Sequence, residues 1–172
     1  MIFVTVGTQL PFDRLVEAVD QWAAERQRDD VLAQVGESAY PAKAIRTVAS
    51  LPPAEFQATF ASASLVVAHA GLGTILSAME LGKPILVMPR RAAMNEHRND
   101  HQLATAERFA DRQGVTIAKD ESEIAAHLDA VESLEAGERV EATASPMLIN
   151  AIRTFIAGNQ PGPEPTAAVP VR

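Results

Sequence analysis

The stretch from Val66 to Pro89 constrains this chain more than any other. A short apolar run, Leu65 to Ala68, stops at His69, and two glycines follow at Gly71 and Gly73. Thr74 opens an apolar-periodic segment that ends at Gly82. Lys83-Pro84 then breaks the chain, and Ile85 to Met88 reads as a second buried strand. Strand, glycine turn, helix and strand within about 30 residues make a βαβ unit. The turn is predicted to put backbone N–H groups and the positive end of a helix dipole at the carboxyl edge of a parallel sheet, where a diphosphate fits.

The alternation continues on both sides. Ile2 to Val6 is apolar on both faces, as a buried parallel strand requires. Gly7-Thr8-Gln9 follows, either as a second phosphate-facing turn or as a plain βα connection. A helix is expected from Pro11, with Phe12, Leu15, Val16, Val19 and Trp22 on one face. Trp22 is assigned to the core rather than to stacking on a ligand. Val31 to Val35 and Ile45 to Val48 read as strands, and Pro52-Pro53 starts a helix carrying Phe56 and Phe60. Beyond the central unit, Leu103, Ala106 and Phe109 mark a helix face and Val115 to Ile117 a last strand. Ser122 with Glu123 starts a helix that buries Ile124 and Leu128, and a final helix runs from Met147 to Ile156. The predicted fold is α/β: a doubly wound, mostly parallel, Rossmann-like sheet of five or six strands. One domain is expected over residues 1–157, with a disordered proline-rich tail over 158–172.

The 172 residues allow a substantial core. A formal charge of −7 opposes nucleic acid as a partner, because phosphate backbones need a basic face. The chain has no cysteine, hence no thiolate metal site. No apolar stretch approaches the roughly 20 residues of a membrane span, and the N-terminus shows no basic leader, so a cytoplasmic location is expected.

The polar residues near the turns carry the chemistry. Gly71 permits a sharp turn, Gly73 lets backbone approach a phosphate, and Thr74 is expected to cap the helix and donate to a phosphate oxygen. The spacing matches neither the dinucleotide fingerprint nor the P-loop. Glu80, on the same helix as Ser77, is either a ribose-binding carboxylate or a solvated residue. His69 is read first as a structural histidine and second as a catalytic base. His97 and His101, four residues apart, with His69 would make a zinc trio, which is disfavoured because the surrounding polar groups suit sugar recognition better. Arg90, Arg91 and Arg98 form a local basic cluster in an acidic chain, and guanidinium groups bind carboxylates and phosphates bidentately.

At these residues the chain resembles a known family. His69-Ala-Gly-Leu-Gly-Thr74, Leu81-Gly-Lys-Pro84, Pro89-Arg90 and Asn99-Asp-His-Gln102, with Phe3-Val-Thr-Val-Gly-Thr8, are similar to the donor-binding, C-terminal half of the GT-B glycosyltransferases of family 28. The likeness is strongest to the small separate-subunit members, the Alg13-like type and the bacterial exopolysaccharide PssE-like type, and Arg90-Arg91 with Glu96 to Gln102 favours the latter. The resemblance implies that Gly71 to Thr74 hold a UDP diphosphate together with Gly7, Thr8 and His69. It implies that Asp100, His101 and Gln102, with Asn99 and the arginines, contact the donor sugar. Many members carry a ribose-binding glutamate at the position of Ser77, and Glu80 is the expected substitute. The implied activity is a two-component inverting transfer from a UDP-sugar to a lipid-linked acceptor, without an obligatory metal or other cofactor. The arginine cluster suggests glucuronic acid as the sugar. The implied partner is a membrane-associated, Alg14-like or PssD-like acceptor-binding subunit that recruits the chain to the inner membrane face, and the uncovered surface allows a homodimer in its absence. The alternatives are a UDP-sugar epimerase, a regulatory subunit that binds nucleotide sugars without catalysis, and a nucleotide-free interaction domain.

Overall fold

Each short apolar run becomes a strand of one parallel sheet in the computed structural model, which describes residues 1–130, 137, 139 and 143–157. The elements in order are β1 (Ile2–Thr5), α1 (Asp13–Glu25), β2 (Val31–Gln34), β3 (Arg46–Val48), α2 (Pro53–Ser62), β4 (Leu65–His69), α3 (Leu72–Leu81), β5 (Ile85–Met88), α4 (His101–Phe109), β6 (Val115–Ile117), α5 (Ile124–Asp129) and α6 (Pro146–Ile156). Short 3₁₀ turns lie at Ala92–Met94 and Glu121–Glu123. The sheet order is β3-β2-β1-β4-β5-β6, and every pairing is parallel. The chain therefore starts mid-sheet, winds out to β3, crosses to β4 and winds out to β6. The reversal lies between β1 and β4, and a doubly wound sheet opens a crevice at the carboxyl ends of the strands there. Thr5 pairs with Gln34 on one side and Ala68 on the other, so the turns after β1, β2 and β4 are neighbours.

Both faces of the sheet are covered, as the unbroken apolar strands require. Ile2 and Val4 pack with Leu15, Val16, Val19 and Trp22 of α1 and with Ile124 and Leu128 of α5. Phe3, Val66 and Ala68 pack on the other face with Phe60, Ile75, Ala78 and Ala106. Each such large apolar side chain contributes roughly 1.5–3 kcal/mol on burial. Phe3, Phe56 and Phe60 form a ring cluster with centroids 5.5 to 6.2 Å apart. Trp22 is core as expected, and its Nε1 donates to Asp129 at 2.8 Å.

Asp20 closes the irregular connection before β3. It is buried, and its carboxylate accepts from the backbone N–H groups of Lys43, Ala44 and Ile45 and from the Tyr40 hydroxyl. Burial alone would raise its pKa; the donors outweigh it and hold the group below its ordinary value.

Two helix starts differ from expectation. α1 begins at Asp13 rather than Pro11, because Phe12 is turned into the core with φ −137° and the Pro11 carbonyl accepts a hydrogen bond from Arg90 at 2.7 Å. α3 begins at Leu72, with Gly71 as its N-cap residue, so Thr74 lies inside the first turn and does not cap it.

The chain falls into two compact units, Met1–Val140 and Glu141–Arg172. The first holds the sheet. The second holds α6, where Pro146 occupies the first turn and the Ser145 hydroxyl accepts from the Leu148 N–H at 3.3 Å. Met147, Phe155 and Ile156 of this helix are exposed. The expected tail over 158–172 lies outside the described residues. Among the described residues no helix is long and apolar enough to cross a membrane.

Candidate functional site

A cavity of about 630 Å³ opens along the carboxyl edge of the sheet. Its floor is formed by the turns after β1 and β4, with Gly7, Thr8, His69, Gly71, Gly73, Thr74 and Ser77 in its lining. One end, after β2 and β3, is lined by Gln34, Ser50, Leu51, Pro53 and Phe56; the other, after β5, by Arg90, His97, His101 and Gln102. From β3 to β5 is four strand spacings, or about 19 Å.

The glycines at the centre make room for a side chain as well as for a ligand. Gly7 has φ +78°, and a Cβ there would come within 2.7 Å of the His69 ring. A Cβ on Gly71 would run into His69 Nε2. The imidazole is thus clasped between two glycine backbones, and Gly71, at φ −86°, needs no left-handed conformation. Gly73 differs: a Cβ there meets nothing within 4 Å and would project into open space. Burial first, then the charge of Arg90, pushes the His69 pKa down to about 4, so the ring is neutral at pH 7. Its buried Nδ1 has no hydrogen-bond partner in the protein.

The turn amides divide into engaged and available ones. The Gly71 N–H donates to the His69 carbonyl at 2.7 Å, and the Gly7 N–H to the Thr5 hydroxyl at 3.3 Å. The Ile75 N–H donates to the Gly71 carbonyl, which leaves the N–H groups of Leu72, Gly73 and Thr74 as the unpaired donors of a helix start. Of these, Gly73 and Thr74 line the cavity, and unpaired donors at the positive end of a helix suit an anion.

The β5–α4 connection is shaped by committed side chains. Arg90 is only 1% exposed, and its guanidinium donates to the carbonyls of Val6, Leu10, Pro11 and Glu96 at 2.6 to 3.0 Å while lying over the Phe12 ring. Gln102, also buried, accepts from the Arg90 N–H. Asp100 accepts from the Ala92 N–H at 2.8 Å, and Asn99 Oδ1 contacts His101 Nδ1. The rings of His97 and His101 meet edge to face with centroids 4.4 Å apart. A second groove, lined by Gln9, Leu10, His97 and Arg98, adjoins the cavity through Gln9 and His97.

The model of the glycosyltransferase family 28 C-terminal domain matches residues 1–149. The chain belongs to that family. The family 28 chain is also similar to solved structures: to that of ALG13 by NMR, at 18% identity and TM-score 0.57, over 88% of this chain and 93% of that one. A putative UDP-N-acetylglucosamine 2-epimerase from Listeria monocytogenes aligns at 13% identity and TM-score 0.61, over 92% of this chain and 45% of that one. The glycotransferase of kitacinnamycin aligns at 19% identity and TM-score 0.55, over 92% and 40% respectively. The chain thus spans nearly all of the ALG13 structure and less than half of the other two. No curated protein sequence matches it. These likenesses show the fold, an all-parallel Rossmann-like sheet as in GT-B C-terminal domains, and family membership supports a sugar-transferring function.

Against that background the expected site residues divide. Gly7, Thr8, His69, Gly71, Gly73, Thr74, Ser77, Arg90, His101 and Gln102 line one cavity. Glu80 is exposed and outside the lining, because its place two turns into α3 carries it away from the sheet edge. The arginine cluster is not a cluster. Arg90 is engaged by backbone carbonyls, Arg91 donates to the Lys119 carbonyl at 3.0 Å, and Arg98 lines the adjoining groove. Asn99 and Asp100 brace the loop and stand outside the lining. The zinc trio does not form: among the described residues no three His, Asp or Glu side chains converge on a metal position. Sequence reasoning missed the β2–α2 end of the cavity. Gln34 accepts from the Leu51 N–H at 2.9 Å and reaches the Thr5 hydroxyl, and a glutamine inside the otherwise apolar run Val31 to Val35 was the available signal.

Proposed function

We propose that the cavity holds a UDP-sugar laid across the strand ends, and that the chain is the donor-binding subunit of a two-component inverting glycosyltransferase. The observation that carries the reading is the order of the lining. Apolar Leu51, Pro53 and Phe56 at one end suit a base, the α3 start at the centre suits a diphosphate, and His97, His101 and Gln102 at the other end suit a sugar. The span of about 19 Å accommodates such an extended ligand. In the transfer step the N–H groups of Leu72, Gly73 and Thr74 and the α3 dipole stabilise the charge on the departing UDP. Neutral His69 orients a phosphate oxygen or the turn itself rather than adding charge.

The acceptor is a lipid-linked sugar brought by a membrane-associated partner of the Alg14-like or PssD-like kind, which completes the cleft from the opposite side. Glucuronic acid is the proposed sugar. Its carboxylate would be met by Arg98, since Arg90 and Arg91 are engaged elsewhere.

Calorimetry and thermal shift with UDP, UDP-glucuronate and UDP-glucose, with and without the partner, test the reading. A nucleotide at 100 times its Kd stabilises the fold by about 2.7 kcal/mol. Binding of UDP by the chain alone, with transfer only in the partner's presence, is the expected result. Binding without transfer in the complex would favour a regulatory subunit, and no uridine nucleotide binding under either condition would overturn the proposal. Arg98→Ala is expected to weaken UDP-glucuronate more than UDP-glucose; equal losses would remove the case for a sugar carboxylate.

A further inference from the structure

Glu96 is the buried acid of the β5–α4 connection, and its bonds tie that connection to itself and to α1. Its carboxylate takes a bidentate pair from Arg14 of α1, Nε to Oε1 and Nη2 to Oε2, both at 2.9 Å. Oε2 also accepts from the Arg91 N–H at 2.8 Å, and the Glu96 carbonyl accepts from Arg90 at 3.0 Å. Arg14 in turn donates to Glu121 at 2.6 Å and to the Pro89 carbonyl at 3.3 Å. Burial alone would lower the Arg14 pKa, but its hydrogen bonds to Glu96 and Glu121 raise it, so the guanidinium stays charged.

The next residue is His97. Its ring lines both the cavity and the adjoining groove, and its buried Nδ1 has no hydrogen-bond partner in the protein. The ring's other contacts, edge to face with His101 and a hydrogen bond to the Asn99 backbone, come from the same β5–α4 stretch, so its place is set by the way that stretch is held. The stretch is fixed, one residue before His97, by the bidentate Arg14–Glu96 bond. A planar fork against a carboxylate fixes direction as well as distance, which a single hydrogen bond does not.

We propose that Glu96 is a positioning residue that sets the His97 imidazole against the sugar end of the cavity, and so governs recognition of the donor's sugar rather than of its nucleotide. This rests on the donor reading of the cavity. Arg14 is the anchor, and Glu121, on the 3₁₀ turn before α5, accepts from the same guanidinium.

The test compares Glu96→Gln with Glu121→Gln in the full chain. The four histidines allow the His97 imidazole to be followed by NMR without ligand. Glu96→Gln is expected to shift the His97 resonances, to weaken UDP-sugar binding at least fivefold, and to leave UDP binding within twofold. Glu121→Gln is expected to leave all three unchanged, whatever it does to the melting temperature. Unmoved His97 resonances in Glu96→Gln, or equal loss of UDP and UDP-sugar, would overturn the proposal. If Glu96→Gln does not fold, Arg14→Lys keeps the charge, loses the fork, and is read the same way. Should the unaltered chain bind neither UDP nor UDP-sugar, the donor reading falls, while the His97 spectrum still decides whether Glu96 positions that ring.

Discussion

The centre of the cavity and its β5–α4 end are built by opposite means. At the centre, space exists because side chains are left out: Gly7 and Gly71 clasp His69, and Gly73 leaves the α3 start open. At the β5–α4 end, shape comes from side chains already committed to the protein, with Arg90 on four carbonyls and Glu96 on Arg14. The comparison teaches that charge near a site is not the same as charge offered to a ligand. A guanidinium buried on backbone carbonyls is a brace, because freeing it would leave those carbonyls without partners. An unpaired amide at a helix start is available without any such loss.

The sharpest way to break this comparison is Arg90→Ala. If the arginine is a brace, its loss strands four carbonyls, and urea unfolding should show destabilisation by about 3–5 kcal/mol. Unchanged stability with altered sugar preference would return Arg90 to the ligand.

The next effect belongs to His69. Its folded pKa, about 4, lies below the ordinary 6.5, so protons favour the unfolded chain. Its contribution is fully present above pH 6.5 and is lost as pH falls from there towards 4. The loss should reach about 3 kcal/mol, read by unfolding at a series of pH values. His69→Asn should flatten that part of the profile; a profile the same in both chains would mean that the ring titrates normally.

The two glycines of the β4–α3 turn sharpen the contrast within the centre. Gly71→Ala forces a methyl group into the His69 ring, and about 1–3 kcal/mol of stability should go with it. Gly73→Ala meets no protein atom, and alanine favours a helix, so stability should hold or rise by up to about 1 kcal/mol. UDP affinity should nonetheless fall about tenfold in Gly73→Ala, as the methyl group occupies phosphate space, a change of about 1.4 kcal/mol by calorimetry. Unaltered UDP affinity in Gly73→Ala would move the diphosphate away from the α3 start.

Much of this was legible along the chain. The strands are continuous apolar runs because both faces of the sheet are covered, and that pattern is local. The alternation with helices led to the doubly wound sheet, and the glycine turns followed from the strand ends they terminate. The roles of individual polar residues were less legible. Thr74 reads as a helix cap by residue type, but the backbone of Gly71 begins the helix one turn earlier. Glu80 shares a helical face with Ser77 but sits farther from the sheet edge, and spacing around a helix does not report distance along it.

The sequence by itself determined the parallel sheet, the glycine turns at its carboxyl edge and the family, since each depends on residues close together in the chain. Only the tertiary structure decided which polar groups were still available. Arg90 meets Val6, Leu10 and Pro11, and Arg14 meets Glu96 and Glu121, across separations of 79 to 107 residues. A hydrogen bond forms by proximity in space, and a charged side chain can be spent on a distant carbonyl as readily as on a ligand; no local pattern records which of the two has happened.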